Sequence, residues 1–352
     1  DTAIDEITIY KKALRPEEVS QRYRKKSDLI KKEISSSSDE PEKEKPFILP
    51  LPVSKKKPDI DGVIDRDEWG DATSINNFVT ILIPERKLWP YSNRFYCKVV
   101  GKNLYIGLIS EFNMMSPPAA EAESGSGKVF MDDCFEIFLT AAREKQQVYQ
   151  IVVNSKGALD FYRNRPRGVL IPVHKVKAAS SIFAKSWAAE IEIPLSEIIE
   201  NFSGTLPERL FIQVSRSYKK GTIAEREQHQ GSLGTEKSEE YSGFPWNLAF
   251  LETKNYAELV TVSEGQYISC DVDIEEFLSR NCLAVQGVIG KGWNISDVSL
   301  QAVWQDGKLS LTEKVAITDD GKYIYKKDIP DGYNIVRIES GEKFNIAIPV
   351  SQ

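Results

Sequence analysis

Between Val129 and Leu139 the chain reads Val-Phe-Met-Asp-Asp-Cys-Phe-Glu-Ile-Phe-Leu, and no other stretch constrains the fold as much. An acidic pair leads into strict alternation: Phe135, Ile137 and Leu139 share one face, and Cys134, Glu136 and Phe138 the other. A period of two marks a β-strand with one face in a core. Two residues remain to be explained, the carboxylate Glu136 and the large aromatic Phe130 just upstream. An aromatic platform can stack on the apolar C–H face of a sugar, while a carboxylate accepts hydrogen bonds from its hydroxyls.

The same rhythm recurs along the chain. From Asp59 to about Val262, candidate strands fall at 75–83, 94–100, 103–111, 133–140, 147–154, 157–163, 187–193, 209–216 and 256–262. Gly101, Gly157 and Pro194 punctuate them, and Leu195–Phe202 suggests one short helix. Many short strands at this spacing predict an all-β fold, a β-sandwich over 58–262. Residues 263–352 are again all-β, with Asp306-Gly307, Asp320-Gly321 and Asp331-Gly332 supplying the positive φ of hairpin turns. Their size and rhythm suit a second, smaller immunoglobulin-like sandwich. No site chemistry stands out there.

Upstream, residues 35–57 read as a linker: four serines, then a run of mixed charge that cannot offset its ordering entropy. Phe47, Ile48, Leu49, Leu51 and Val53 interrupt it as a segment able to pack at an edge. In residues 1–34, a strand through Ile7 and Ile9 precedes a helix in which Pro16 suits the first turn and Glu17 and Glu18 its positive end.

Composition removes several function classes. A net charge of −6 provides no basic footprint for nucleic acid or anionic membrane. No apolar run approaches the roughly 20 residues that span a bilayer. The two histidines, His174 and His229, sit in unrelated contexts, against a Ser-His-Asp triad or a multi-histidine metal centre. Cys97, Cys134, Cys270 and Cys282 lack zinc-site spacing. They read either as buried free thiols or as including a Cys270–Cys282 disulfide. No methionine has a sequence-placed partner for haem. Gly125-Ser-Gly-Lys128 lacks the first glycine and the Ser or Thr of a phosphate loop, and reads as an ordinary loop.

Four pieces, in order, carry a resemblance: Pro58–Ala72 (PDIDGVIDRDEWGDA), Lys102–Leu108 (KNLYIGL), Asp132–Leu139 (DDCFEIFL) and Trp187–Pro194 (WAAEIEIP). Together they resemble the family 9 carbohydrate-binding module, a β-sandwich commonly appended to secreted polysaccharide-degrading enzymes. The strand and "ALRPEEV" of residues 1–34 resemble the closing strand and exit helix of a laminin G-like (concanavalin A-type) domain.

The resemblance implies non-catalytic carbohydrate binding, with a sugar held between two aromatics and ringed by polar groups. It implies Phe130 as the first aromatic, Glu136 as the strand carboxylate, Gln213 on a later strand, Asn247, and Phe250 as the second aromatic, with Trp246 competing for that place. It further implies an extracellular, cell-surface or periplasmic bacterial protein, other domains on the same longer polypeptide, and a role in carbohydrate catabolism. Two features depart from the family. Both platforms are Phe rather than Trp, and Val152 stands where the family has an arginine. Losing such a charge-assisted donor costs about 1.5–3 kcal/mol of binding unless Arg216, Arg163 or Arg165 replaces it.

Other readings of these residues stay open. Phe130 and Phe250 also suit a core, Glu136 a solvated strand, and Gln213 a structural role. Asp132, Asp133 and Glu136 do not read as a glycosidase pair, because neighbours on one strand do not face each other across a substrate. No metal or cofactor is expected, apart from an alternative in which Asp59, Asp61, Asp65 and Asp67 hold calcium rather than form a charged turn. Trp69, Trp187 and Tyr105 read as core. The alternative function is an extracellular scaffold or adhesion protein whose sandwich has lost sugar binding.

Overall fold

A computed structural model describes residues 47–76, 78–80, 91–114, 117–142, 147–163, 169–172, 175–219, 239–244, 256–280, 282–304, 309–328, 333–340 and 343–349. The chain divides into two compact units, Asp1–Glu44 and Lys45–Gln352, and every described residue belongs to the second. The strand and helix expected within 1–34 lie outside the described residues, as do Trp246, Asn247, Phe250, Arg165 and both histidines.

The first strands are β1 (Ile48–Ser54), β2 (Thr73–Ile75), β3 (Val79–Thr80), β4 (Asn93–Val100), β5 (Asn103–Glu111) and β6 (Cys134–Thr140). There follow β7 (Tyr149–Asn154), β8 (Leu159–Arg163), β9 (Val169–Leu170), β10 (Lys177–Ile182) and β11 (Ser186–Pro194). Next come β12 (Arg209–Lys219), β13 (Glu239–Phe244), β14 (Ala257–Val262), β15 (Ser269–Val272) and β16 (Cys282–Val288). The chain closes with β17 (Asp297–Trp304), β18 (Leu309–Ala316), β19 (Lys322–Asp328), β20 (Tyr333–Glu339) and β21 (Asn345–Pro349). Two short helices, α1 (Arg66–Trp69) and α2 (Ile274–Arg280), complete the described elements.

The large lobe is a β-sandwich. Its front sheet runs β9-β8-β7-β6-β12, after which β13 pairs with one half of β12 and β14 with the other. Its back sheet runs β10-β11-β5-β4-β2. Between them lies a core of alternating side chains: Phe135, Ile137, Leu139, Ile151 and Val214 from the front, and Leu104, Ile106, Trp187, Ala189 and Ile191 from the back. The expected β6 alternation holds, with Phe135, Ile137 and Leu139 inward and fully buried.

Residues 48–54, within the stretch read as linker, form β1. Its first five residues lie parallel to β14 in the front sheet and its last two parallel to β4 in the back sheet. Pro50 and Pro52 cannot donate to a ladder, so such a strand belongs at sheet edges, while Leu49 and Leu51 enter the core with no exposed surface. Of the strand expected at 75–83, Ile75 ends β2 and Val79–Thr80 form β3, with 77 and 81–83 outside the described residues. The helix expected at 195–202 reduces to one 3₁₀ turn, Leu195–Glu197. Asn201, at φ 55°, stands in the left-handed region, where a helix cannot continue. Neither β10 nor α2 stands out in the sequence: Lys177-Ala-Ala-Ser-Ser-Ile182 is too poor in large apolar residues to show alternation.

Residues 263–352 build a second, smaller pair of sheets, β15-β16-β19 and β18-β17-β20-β21. Asp320-Gly321 has the expected positive φ, 84° at Gly321, but it does not close a hairpin. β18 pairs with β17 and β19 with β16, so this turn carries the chain from one sheet to the other. Alternation identifies a strand without naming its partner. The two lobes also share sheets: β15 lies parallel to β2, and β21 meets β1 at Ile48 and Asn345.

Candidate functional site

The two outer faces of the large sandwich have different fates. The back face is covered by the opening motif, where Trp69 and Ala72 pack on Tyr105 with Ile60, Ile64 and Tyr96 around them. Buried Glu190 locks that cover: it accepts from Trp69 Nε1 at 2.7 Å, Gly62 N at 2.8 Å and Asp61 N at 3.0 Å. Burial pushes the Glu190 carboxyl above its ordinary pKa, and the three donors counteract only part of this. Lys98, buried beneath α1, reaches Asp71 at 2.9 Å, and burial lowers its pKa despite that carboxylate. Of Asp59, Asp61, Asp65 and Asp67, two are used within this motif. Asp65 caps α1 through Glu68 N at 2.7 Å and Asp61 accepts from Val63 N at 2.8 Å. Among the described residues no group of three or more Asp, Glu, His or Cys is placed to hold a metal.

Of the residues expected to hold a sugar, the front face carries Glu136 and Gln213. The pairings Glu136–Val152, Val152–Asp160 and Ser215–Glu136 place Glu136, Gln150, Val152, Asp160, Tyr162, Gln213, Ser215 and Ser217 on one side of the sheet. Two apolar clusters frame this face. Ala122, Val129, Cys134 and Val152 form one, and Phe138, Val148 and Tyr256 the other. Half-buried Glu136 stands between them, its Oε2 accepting from Gln150 Nε2 at 2.6 Å and its Oε1 from Ser217 Oγ at 2.9 Å. Neither Gln150 nor Ser217 belongs to the set that the resemblance implies. Alternation on β7 and β12 puts both on polar strand positions, but only the register brings them to Glu136.

Phe130 lies on a 3₁₀ turn, Val129–Met131, and its ring is 37% exposed while both neighbours are buried. Its loop is fastened from two sides. Asp160 accepts from Gly127 N at 3.2 Å and Val129 N at 2.9 Å. Asp132 accepts from Glu121 N at 3.1 Å, Ala122 N at 2.9 Å and Asn154 Nδ2 at 2.9 Å. Tyr162 donates to Asp160 at 3.1 Å, and burial, then that carboxylate, pushes its hydroxyl pKa well up. Gly125 and Gly127 both take φ of 72°, so the Gly-Ser-Gly-Lys loop is a pair of left-handed turns feeding this anchor.

Gln213, fully buried, pairs opposite Phe138, one diagonal step from Glu136. Arg216 stands elsewhere. It pairs opposite Phe135 on the inner face and has no exposed surface. Its guanidinium bonds Asp133 at 2.9 Å and Ser110 Oγ at 3.0 Å, donates to the Ser217 carbonyl, and lies against the rings of Phe135, Trp187 and Tyr218. Asp133 in turn accepts from Ala119 N at 2.8 Å, so Arg216 braces the Phe130 loop from behind the sheet. Arg163 pairs opposite inward-facing Tyr149, also off the Glu136 face. Arg209 shares the parity of Ser215 but lies six residues along β12, about 20 Å away, paired with Glu258 at 2.7 Å. Neither Arg216 nor Arg163 therefore takes up the role vacated at Val152. All four cysteines are buried and none is in a disulfide, so Cys270 and Cys282 are not bridged.

The sequence matches no protein-family model, and no curated protein is significantly similar to it. Among solved structures, a family 9 carbohydrate-binding module from Caldicellulosiruptor kristjanssonii in complex with glucose is similar at TM-score 0.41 and 13% identity, over 61% of this chain and 96% of that one. Its complex with cellotriose is similar at TM-score 0.39 and 13% identity, over 61% and 94%.

Proposed function

We propose that residues 58–262 are a non-catalytic carbohydrate-binding module. A sugar stacks on Phe130 and is bonded through its hydroxyls by Glu136, with buried Gln213 set one diagonal step behind that carboxylate and with Asn247 and either Phe250 or Trp246 completing the pocket. One observation carries this reading: a carboxylate fixed by two donors in a gap between two apolar clusters. A polar residue on a purely structural sheet face has no need of such framing, whereas a sugar site needs a few oriented polar groups set in apolar surroundings. In this reading no bond chemistry occurs, and the chain acts as part of a larger exported protein concerned with polysaccharide. The second lobe is immunoglobulin-like, a reading supported by its three-strand and four-strand sheets.

A second reading, a scaffold that has lost its sugar, is favoured by Val152 opposite Glu136 with Arg163 and Arg216 on the other face. A glycan array run on wild type and on Glu136→Ala, combined with a polysaccharide-hydrolysis assay, separates the readings. The module binds neutral oligosaccharides and releases no sugar. A folded protein that binds none is a scaffold, and sugar release contradicts both.

A further inference from the structure

A groove lies where the second lobe meets the large sandwich, on residues that no part of the Glu136 face uses. Its floor is one row across three strands. Asp271 on β15 pairs with Gln286 on β16, and Gln286 pairs with Ile324 on β19, so the three side chains project from the same face. Neighbouring strands lie about 4.8 Å apart, which sets an acid, an amide and an aliphatic group side by side. Asn76 and Arg94 of the large lobe form the wall, and Lys326 the rim, of a cavity of about 270 Å³. A second cavity of about 600 Å³ shares Val272 and Asp273 with it and extends along the junction past Ser92, Glu111 and Leu278.

Three features set this groove apart from an ordinary crevice. It is held rigid, because Arg94 pairs with Asp271 across the lobes and the Asn76 side chain bonds both Val272 N at 2.8 Å and Val272 O at 3.0 Å. Its ionic groups are engaged: Arg94 pairs with Asp271, Lys326 with Glu276 at 2.6 Å, and Asp273 accepts from Glu276 N at 2.9 Å. It also exposes Ile324, 71% accessible and the most exposed large apolar residue among those described, beside the exposed Gln286. The strand needs no apolar residue at that outward position.

We infer that this inter-lobe groove binds a neutral polyhydroxylated ligand, a segment of an uncharged oligosaccharide. A paired guanidinium and carboxylate carry no net charge to attract an ion, yet they keep spare donors and acceptors suited to hydroxyl groups. Gln286 adds both a donor and an acceptor, and Ile324 offers a flat aliphatic surface for a sugar C–H face. Rigidity keeps the ordering cost of binding low. The groove stands on different residues from the Glu136 site and does not depend on that site binding anything.

The test uses the full chain carrying Glu136→Ala, titrated separately with cellotriose, xylotriose and mannotriose. At least one trisaccharide should bind and shift the backbone amide resonances of Gln286 and Ile324. Adding Gln286→Ala or Ile324→Asp, both outward-facing changes that leave the melting temperature near that of the parent, should weaken this binding by about tenfold or more. The inference is overturned if none of the three sugars moves these resonances, or if both added substitutions leave the affinity unchanged.

Discussion

Glu190 and Arg216 show how buried charge is used away from the proposed site. Glu190 holds three donors from the opening motif, so Glu190→Ala strands them and should cost about 2–4 kcal/mol in urea denaturation. Its raised pKa sets a sign. The folded state binds the proton more tightly than the unfolded chain, so this group's contribution is greatest below the unfolded value of about 4.3 and is lost as pH rises through the higher folded value. The stability gap between wild type and Glu190→Gln should therefore narrow as pH rises through that window; a widening gap contradicts the assignment. Arg216→Met leaves Asp133 buried and unpaired and should cost about 3–5 kcal/mol. A near-neutral result would mean that the brace behind Phe130 is not needed.

At the scale of elements, β6 was legible because one of its faces is wholly core, and the outcome followed the period of two. Where faces are mixed or residues small, as in β10, the signal vanishes. β1 hides in a charged stretch because its two prolines argue against a strand, and only its place at two sheet edges reconciles them. The candidate site was legible in part. Phe130, Glu136 and Gln213 can be named from motifs, but Gln150 and Ser217 become partners of Glu136 only through register, which no local pattern specifies. Arg216 shows the converse, since parity along β12 turns it inward. A shortened chain beginning at residue 45 should fold and melt as the full chain does. One beginning at residue 58 loses Leu49 and Leu51 and should fail to give a cooperative transition by circular dichroism, because each buried leucine alone is worth about 2–5 kcal/mol.

For the whole molecule, shared sheets make the two lobes one structural unit. The β2–β15 and β1–β21 pairings predict a single calorimetric transition for residues 45–352; two well-separated transitions would show independent lobes. The thiols test the packing of both lobes together. Cys97, Cys134, Cys270 and Cys282 are all buried and outside any disulfide, and burial pushes the Cys270 thiol up to about 12. None should react with a thiol reagent in the native protein, and all four should react in denaturant. Sugar binding on the front face is open to titration calorimetry of wild type against Glu136→Ala with the best-binding array oligosaccharide. Loss of one charged hydroxyl acceptor should weaken binding at least about tenfold, with a melting temperature lowered by only a few degrees. Equal affinities for the two proteins would show that Glu136 binds no sugar.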